Sequence, residues 1–353
     1  MKKFLPIIFF VILLSSCQTD FNISGDFEEV ALVHFLLDPS DEYHFLKLNK
    51  TFLGEGNANV FAQVADSSYF NHVEAKVQEV VGGNVQREWN LKDTFIDNKE
   101  PGAFYYPEQK LYYFKANDLN ESALYRLQIE AENGKHVITG ETRMVQNFQI
   151  SAPSATAPIN FAEANVPVNG YRNQPIRFSK GNAAVFNVTF KFRYKETKDS
   201  GSEIKEITWN VDDVTAADAP TSEVVVFARG ETFYELLRNR IPVDNDVLRR
   251  EVENIEILVT AGTEDLNTYI LVNQPSSSIT QNKPEFSNVE GGMGIFSSRT
   301  TRSLFKQDFM PPNIRALNVN STRELCQGPY TVQLNFCSNI PTDIGQGYSF
   351  VCN

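Results

Sequence analysis

The chain has 353 residues, 44 of them acidic and 32 basic, and its formal net charge at pH 7 is −12. Nucleic-acid binding and electrostatic docking on anionic lipid both need clustered lysine and arginine, so this charge argues against both functions. The length predicts about two domains. Phenylalanine and tyrosine are plentiful, at 27 and 13 residues, whereas there are only 4 methionines and 2 tryptophans. Together with alternating runs of Val, Ile and Thr, this composition predicts a mostly β protein.

The first 26 residues predict an exported, lipid-anchored protein. Lys2 and Lys3 precede an apolar run at residues 4–14. This run is too short to cross a hydrocarbon core of about 30 Å and is typical of a secretory signal. The sequence Leu14-Ser15-Ser16-Cys17 then resembles a bacterial lipobox. We therefore expect a signal peptide at 1–16, a diacylglycerol and an amide-linked acyl chain on Cys17, and a tether at 17–26.

This anchor would hold the mature protein at a membrane. Each buried methylene group contributes about 0.8 kcal/mol, so three hydrocarbon chains hold firmly where a single chain would not. Loss of Lys2 and Lys3 with the signal peptide changes the net charge from −12 to −14. Asp20, soon after the cysteine, resembles the surface-export signals of lipoproteins of the Bacteroidota type. The alternative is a plain secreted protein in which Cys17 is incidental.

The residues after the tether predict an immunoglobulin-like or fibronectin-like β-sandwich at 27–148. Two strands flank the turn Asp38-Pro39-Ser40-Asp41. Gly82-Gly83 and Asn133-Gly134 each separate two alternating runs and predict hairpins. Asn-Gly suits a type I′ turn because both central residues must take φ > 0. Apolar and polar side chains alternate along residues 125–132, which predicts one buried and one solvated face. Short strands at this spacing are typical of such sandwiches.

The second half predicts another β-rich domain. Segment 149–166 contains the small, uncharged run SAPSATAP and is predicted to be a linker. Residues 167–353 are predicted to form a domain of strands with one or two short helices and a cysteine-containing C-terminal segment. A helix is expected at 232–242, because Phe233, Leu236 and Leu237 share one helical face and Pro242 stops it. A second helix is expected at 263–272, capped by Thr263.

The glycines of NVEGGMGIFSS, residues 288–298, predict a tight bend entering a strand, because no helix follows them as a nucleotide-binding loop would require. Together with the lipobox, the early β-domain, the helix at 263–272 and the C-terminal run STRELCQGPYTVQLNFC, this motif resembles a family of Bacteroidota outer-membrane lipoproteins that carry a domain of unknown function. Members of that family are often encoded beside TonB-dependent receptors. The resemblance covers most of the mature chain. It implies a partner in nutrient uptake or surface assembly, and it carries over no catalytic residue.

The most aromatic segment is GAFYYPEQKLYYF, residues 102–114. Adjacent strand residues point to opposite faces, so Tyr112 and Phe114 are expected in the core and Tyr113 outside. Tyr105 and Tyr106 are expected in a loop. Exposed tyrosines offer a rigid amphipathic surface. Tyr105, Tyr106 and Tyr113 are therefore the candidate contacts for a carbohydrate or peptide ligand. The alternative is that these rings belong to the core and its loop cover.

Three cysteines remain after Cys17, all within the last thirty residues. An exported chain can keep a disulfide, and three thiols allow one bridge. Cys326 and Cys337 flank the strand-like segment PYTVQLNF and are the favoured pair, whereas the alternative leaves Cys326, Cys337 and Cys352 as buried thiols. No metal site is predicted. The alternative left open is that His34 and His44 approach each other across a hairpin and bind a metal ion.

No catalytic motif is found. The chain has no G-x-S-x-G elbow and no EF-hand loop. A glycosidase would need two carboxylates across a cleft, and spacing alone does not show such a pair. We therefore expect a non-catalytic accessory or binding subunit without a cofactor. It would be lipid-anchored in the outer membrane, surface-exposed or periplasm-facing, and it would work with a TonB-dependent transporter. The near alternative is a surface adhesin or structural envelope component. A carbohydrate-active hydrolase is the alternative from another class.

Overall fold

The computed structural model describes residues 28–52, 57–146, 148–274, 285–307 and 315–352. The predicted signal peptide, Cys17 and the tether lie outside these residues. Within the described ranges, no helix combines the length and the apolar character needed to cross a bilayer.

The chain is mostly β, as the composition predicted. The described strands are β1 Ala31–Leu37, β2 Tyr43–Lys50, β3 Val73–Val81, β4 Asn84–Asn90, β5 Lys92–Asp97, β6 Glu108–Lys115, β7 Leu124–Ala131, β8 His136–Arg143, β9 Ile150–Ala152, β10 Asn173–Ser179, β11 Val185–Lys198, β12 Gly201–Thr215, β13 Glu223–Arg229, β14 Val247–Gly262, β15 Val289–Glu290 and β16 Met293–Gln307. The described α-helices are α1 Ala58–Ala62, α2 Ala65–Ser68, α3 Val166–Asn169, α4 Gly230–Arg240, α5 Glu264–Asn273, α6 Val319–Gln327 and α7 Pro341–Gly345.

These strands form three sheets. The largest has eight strands in the order β12-β11-β14-β16-β1-β2-β6-β5, the second has five in the order β15-β8-β7-β3-β4, and the third has three in the order β13-β10-β9. The β16-β1-β2-β6-β5 part of the large sheet packs face to face on the five-stranded sheet, and this packing gives the predicted sandwich. Alternate residues of each strand fill its core, including Val33, Phe35, Val77, Leu127 and Ile129.

The predicted hairpins of the sandwich are confirmed. The loop between β7 and β8 has Asn133 and Gly134 as its central residues, with φ of 57° and 85°. The Lys135 amide donates to the Glu132 carbonyl and closes the turn at 3.3 Å. Both central residues take the positive φ that a type I′ turn requires. Gly82 and Gly83, between β3 and β4, show the same pattern, with φ of 58° and 83°.

Tyr125, near the start of β7, ties this strand to the loop before it. Its hydroxyl lies 3.1 Å from the Asn120 carbonyl and 2.8 Å from the Glu79 carboxylate. A tyrosine that bonds to backbone a few residues upstream is a recurrent feature of immunoglobulin-like sandwiches. Arg87 donates to both oxygens of buried Glu79, at 3.1 and 2.6 Å. Burial alone would raise the pKa of Glu79, but the bonds from Arg87, Tyr125 and the Asn120 amide hold it below its usual range.

A second core lies under the other end of the large sheet. The alternation predicted for β11 is confirmed, because Phe186, Val188, Phe190, Phe192 and Tyr194 are all buried. The predicted helices are also confirmed. The first is α4, whose Phe233 stacks on Phe161 with ring centroids 4.6 Å apart. The second is α5, where the Thr263 side chain accepts a hydrogen bond from Leu266 at the N-terminus.

The predicted boundary between the halves needs correction, because β16 belongs to both of them. Residues 293–298 of β16 pair in parallel with β1, whereas residues 299–307 pair antiparallel with β14. Val289 and Phe296 lie in the core of the first sandwich. The sandwich predicted at 27–148 is therefore completed by strands from near the C-terminal end. Sequence periodicity misses this contribution because a parallel partner can come from anywhere along the chain.

The predicted linker at 149–166 is wrong. Its first residues form β9, which pairs with β10, and Ile159, Phe161 and Ala162 are fully buried. Ser321 Oγ accepts hydrogen bonds from the backbone amides of Phe161 and Ala162, at 2.8 and 3.2 Å. Segment 149–166 has few charged residues because part of it is buried in the core, not because it is a flexible linker.

The predicted Cys326–Cys337 disulfide is also wrong, because the structure joins Cys337 to Cys352 and leaves Cys326 as a buried thiol. Cys326 lies in α6 and packs into the second core. The segment PYTVQLNF is not a strand but contains a 3-10 turn at Val332–Leu334. A parallel bridge between Ser338 and Val351 then brings Cys337 beside Cys352, with Cα atoms 4.9 Å apart.

The glycine-rich motif forms a bend between β15 and β16, as predicted. Gly294 has φ of +120°, and a Cβ atom there would come within 1.9 Å of the Val33 carbonyl oxygen. The motif therefore provides the close backbone approach by which β16 reaches β1, rather than a ligand-binding loop.

Candidate functional site

The outer face of the sandwich, on the large sheet, carries an unusual set of side chains along β2. Tyr43, Phe45 and Lys47 point outward and are exposed, whereas the alternating residues His44 and Leu46 are buried. Successive outward side chains on a strand are about 6.8 Å apart, twice the rise per residue. This face therefore presents two aromatic rings and a cation in sequence.

Three rings on this face form a cluster that we call the aromatic strip: Tyr43, Phe45 and Tyr113. Tyr43 and Phe45 are 42% and 41% exposed. The Tyr113 ring, from β6, lies 6.0 Å from each of them, and Tyr43 and Phe45 stack at 6.5 Å. The strip, with Thr94 and Ile96 of β5, lines a shallow hollow of about 260 Å³. Solvent-facing rings at this spacing leave open faces on which a flat partner can stack.

A deeper cavity of about 420 Å³ lies further along β2, and we call it the lysine cavity. Its described lining combines apolar walls with basic and neutral polar groups and contains no carboxylate: Leu32, His34, Lys47, Asn49, Lys50, Thr51, Phe52, Ser68, Lys99 and Phe104. Cavities of about 300–1,000 Å³ with a few convergent polar groups are the usual size for small-molecule sites.

The positive charges of this cavity are only partly compensated. Lys50 Nζ pairs with Glu29 at 3.2 Å. Lys99 Nζ donates to the Tyr105 carbonyl at 2.6 Å, and Lys47 has neither an ion pair nor a hydrogen bond among the described residues. Burial and the nearby charge of Lys47 lower the pKa of Lys99. The cavity thus holds mutually repelling ammonium groups in a chain with net negative charge.

His34 forms the wall of the lysine cavity nearest helix α5. Its Nε2 lies 2.6 Å from the hydroxyl of Tyr269, and the two rings meet edge to face at 5.8 Å. Burial and the charge of Lys47 both lower the pKa of His34, which favours the neutral imidazole. The wall formed by His34 is therefore a neutral hydrogen-bonding group, and the positive charge of the lining lies on its lysines.

The structure places only one of the three predicted tyrosines in this site. Tyr113 is half-buried and faces outward, while Tyr112 and Phe114 are in the core, as predicted. Tyr105 and Tyr106 lie in a loop but outside the aromatic strip. The Tyr105 backbone is engaged with Ala62 and Lys99. The same loop contributes Phe104 and Lys99 to the lysine cavity instead.

The exposed residues of β2 were not among the contacts predicted from the sequence. The segment EYHFLKLNK contains the signal, because Tyr43, Phe45, Lys47 and Asn49 fall at every second position and share one face. An alternation in which the outward residues are themselves aromatic marks an exposed aromatic surface. His34 was considered as a metal ligand with His44, but the two side chains lie on opposite faces of the sheet, and buried His44 lies 2.9 Å from the Ala116 carbonyl.

Three carboxylates from acidic stretches of the sequence, Asp213, Asp244 and Asp265, lie outside this face and are engaged in local contacts. Their partners within 3 Å are Asn187 for Asp213, Lys198 for Asp244, and Asn288 for Asp265. Burial raises the pKa of Glu324, which accepts a hydrogen bond from Tyr171 at 2.8 Å. Among the described residues, no group of three or more His, Cys, Asp or Glu side chains is arranged to hold a metal ion.

No protein-family model and no curated protein sequence matches this chain. Solved structures with partial similarity include the C-terminal globular domain of an oligosaccharyltransferase from Pyrococcus abyssi, at 12% identity and a TM-score of 0.23 over 66% of this chain and 47% of that one. The FN1-FN3 domains of chicken CNTN1 match at 11% identity and a TM-score of 0.17, over 66% and 63%. The BSP domain of a biofilm-associated protein matches at 8% and 0.13, over 80% and 59%. The chain thus spans less than two thirds of each of these structures.

Proposed function

We propose that this protein is a lipid-anchored, non-catalytic binding subunit of an outer membrane that works beside a TonB-dependent receptor. The anchor part of the proposal is supported by the signal-like N-terminus and by the lipobox that ends at Cys17. The receptor part is supported by the resemblance to Bacteroidota lipoproteins.

The single observation that carries the binding function is the outer face of the sandwich. It combines the aromatic strip with an adjoining lysine cavity on one side of β2. Binding surfaces typically place rigid aromatic side chains next to a few polar anchors. The three rings lie on a sheet whose opposite side is a packed core, so the surface is pre-organised.

Binding fits this face better than catalysis does. General acid–base chemistry needs a titratable pair within reach of the reacting atoms. The described lining of the lysine cavity contains no carboxylate, and its one imidazole, His34, is engaged with Tyr269 and has a pKa lowered by burial and by the charge of Lys47. The lysines and Asn49 can position a ligand without transforming it.

The experiment is a pull-down of the tagged, full-length, acylated protein from gently solubilised outer membranes, with partners identified by mass spectrometry. We expect a stoichiometric TonB-dependent receptor with the wild type and its loss with Phe45→Ala. The control is Phe227→Ala, which removes another exposed phenylalanine, 55% exposed against 41% for Phe45, from β13 of the three-stranded sheet. Cys17→Ala should lose the acyl label and leave the membrane fraction. Recovery of the wild type without a receptor would contradict the proposed partner.

A further inference from the structure

The ligand chemistry of the lysine cavity can be derived from the groups that line it. Lys47 extends from β2 and Lys99 from the loop before β6, so the two ammonium groups approach the cavity from different elements. The charge of Lys47 lowers the pKa of both Lys99 and His34, after the larger effect of burial. Binding of an anion in such a cavity would reduce the repulsion between its ammonium groups, so the cavity favours an anionic ligand.

The volume and the apolar walls of the cavity indicate what kind of molecule carries the negative charge. Leu32, Phe52 and Phe104 supply apolar surface within a volume of about 420 Å³. The Lys99 ammonium lies 5.7 Å from the centre of the Phe104 ring. This space is larger than an inorganic ion needs and suits a ring-sized organic molecule.

Two neutral groups of the lining retain hydrogen-bonding capacity. Asn49 uses its Nδ2 to donate to the Ser68 carbonyl at 3.2 Å, and this leaves its side-chain oxygen to accept. The Thr51 hydroxyl oxygen accepts from the Val30 amide at 2.9 Å, and this leaves its proton to donate. One acceptor and one donor beside the cations match hydroxyl groups on the same molecule that carries the negative charge.

We propose that the lysine cavity binds an acidic sugar, with its carboxylate between Lys47 and Lys99 and its hydroxyl groups on Asn49 and Thr51. This inference rests on the proposed binding function and specifies its ligand. The ligand is either a free sugar acid or a uronate unit of a longer acidic glycan. In the second case, neighbouring sugar rings extend along β2 and stack on the aromatic strip. An outcome in which only acidic peptides bind would assign the face to a protein partner and overturn the proposal.

The test measures the affinity of the full-length protein in detergent by calorimetry. The probes are glucuronate, glucose, an oligogalacturonate and a short oligoglutamate as the acidic peptide. Glucuronate should bind at least tenfold more tightly than glucose, since each charge-assisted bond is stronger than a neutral one. Its affinity should fall as ionic strength rises, because salt screens charges. Equal affinity for glucuronate and glucose would overturn the proposal.

Lys47→Gln is the decisive variant, because the Lys47 side chain makes no ion pair and no hydrogen bond with any of the described residues, so the substitution removes none from the fold. We expect it to weaken glucuronate binding at least tenfold, and Lys47→Glu to abolish it. The control is Lys195→Gln. This variant removes the same charge from β11, on the same sheet but outside the cavity, where Lys195 likewise has no ion pair and no hydrogen bond to the residues that the structure describes. Wild-type affinity in Lys47→Gln, or an equal loss in both variants, would refute the assignment.

The oligogalacturonate distinguishes the two sources of the ligand. If it binds more tightly than glucuronate and Tyr113→Ala removes that advantage, the ligand is a glycan chain. Equal affinity for the two probes identifies a free sugar acid. Absence of acidic-sugar binding together with a receptor pull-down that still depends on Phe45 would refute this inference and leave the proposed function standing.

Discussion

Phe296→Ala tests whether the N-terminal sandwich depends on the C-terminal part of the chain. Phe296 lies on β16, is fully buried, and packs against Phe35 with ring centroids 5.4 Å apart. The sequence-based boundary at 148 would place it in another domain and would predict no effect on the sandwich. The structure predicts the opposite, because this ring fills the core between the two sheets.

The magnitude follows from the burial. Replacing a fully buried phenylalanine with alanine typically costs about 3–5 kcal/mol, which includes the cavity left behind. With a urea m-value of about 3 kcal/mol per M, the unfolding midpoint should fall by roughly 1 M or more. Phe305→Ala is the matched control. It lies on the same strand but is 41% exposed, so its midpoint should change little.

The assay uses the two tryptophans of the chain, because one reports on each core. Trp89 stacks on Phe114 in the first core at 5.1 Å, and Trp209 packs beside Phe190 in the second core at 5.6 Å. Single-tryptophan versions therefore follow the two cores separately during urea unfolding. We expect Phe296→Ala to lower the Trp89 midpoint. An unchanged Trp89 midpoint would show that the sandwich folds without β16 and would refute the reasoning.

Three further predictions follow from other parts of the structure. Cys337→Ser should lower stability by about 3 kcal/mol under oxidising conditions, because it opens the 15-residue loop closed by Cys352, and thermal unfolding with and without reductant checks this. The pKa of Glu79 is lower in the folded protein than in the unfolded chain, so its ionised carboxylate stabilises the fold above the unfolded-state pKa, and this stabilisation is lost as the pH falls through the folded-state pKa. Glu79→Gln should therefore flatten the acid limb of a profile of unfolding free energy against pH. Gly294→Ala should reduce the yield of folded protein, because its Cβ would collide with the Val33 carbonyl, and solubility after expression measures this.

Local features of the fold were predictable because they depend on neighbouring residues alone. The period of two along β11, the Asn133-Gly134 turn and the Thr263 cap all follow from side-chain geometry within a few residues. The assignment of Tyr112 and Phe114 to the core succeeded for the same reason.

Features that depend on distant pairing were not predictable from one sequence. The parallel pairing of β1 with β16 joins residues about 260 positions apart, and no local pattern encodes it. The Cys337–Cys352 bridge depends on the pairing of Ser338 with Val351, which no local pattern indicates. Cys326, which the sequence favoured as the partner of Cys337, lies in helix α6 instead. The lysine cavity likewise assembles Lys47 and Lys99 from separate elements. Of these elements, only the strand that carries Lys47 could be predicted from the alternation of residues in the sequence.

The most direct test of the account is site-specific photo-cross-linking in intact cells, with a photoreactive residue at Phe45 or at Val85. Phe45 lies in the aromatic strip, whereas Val85 is a comparably exposed residue of β4 on the opposite sheet. We expect a defined cross-linked partner, a glycan or a receptor, from position 45 and little cross-linking from position 85. No cross-link at Phe45, or equal cross-linking at both positions, would contradict the claim that the outer face is the binding surface.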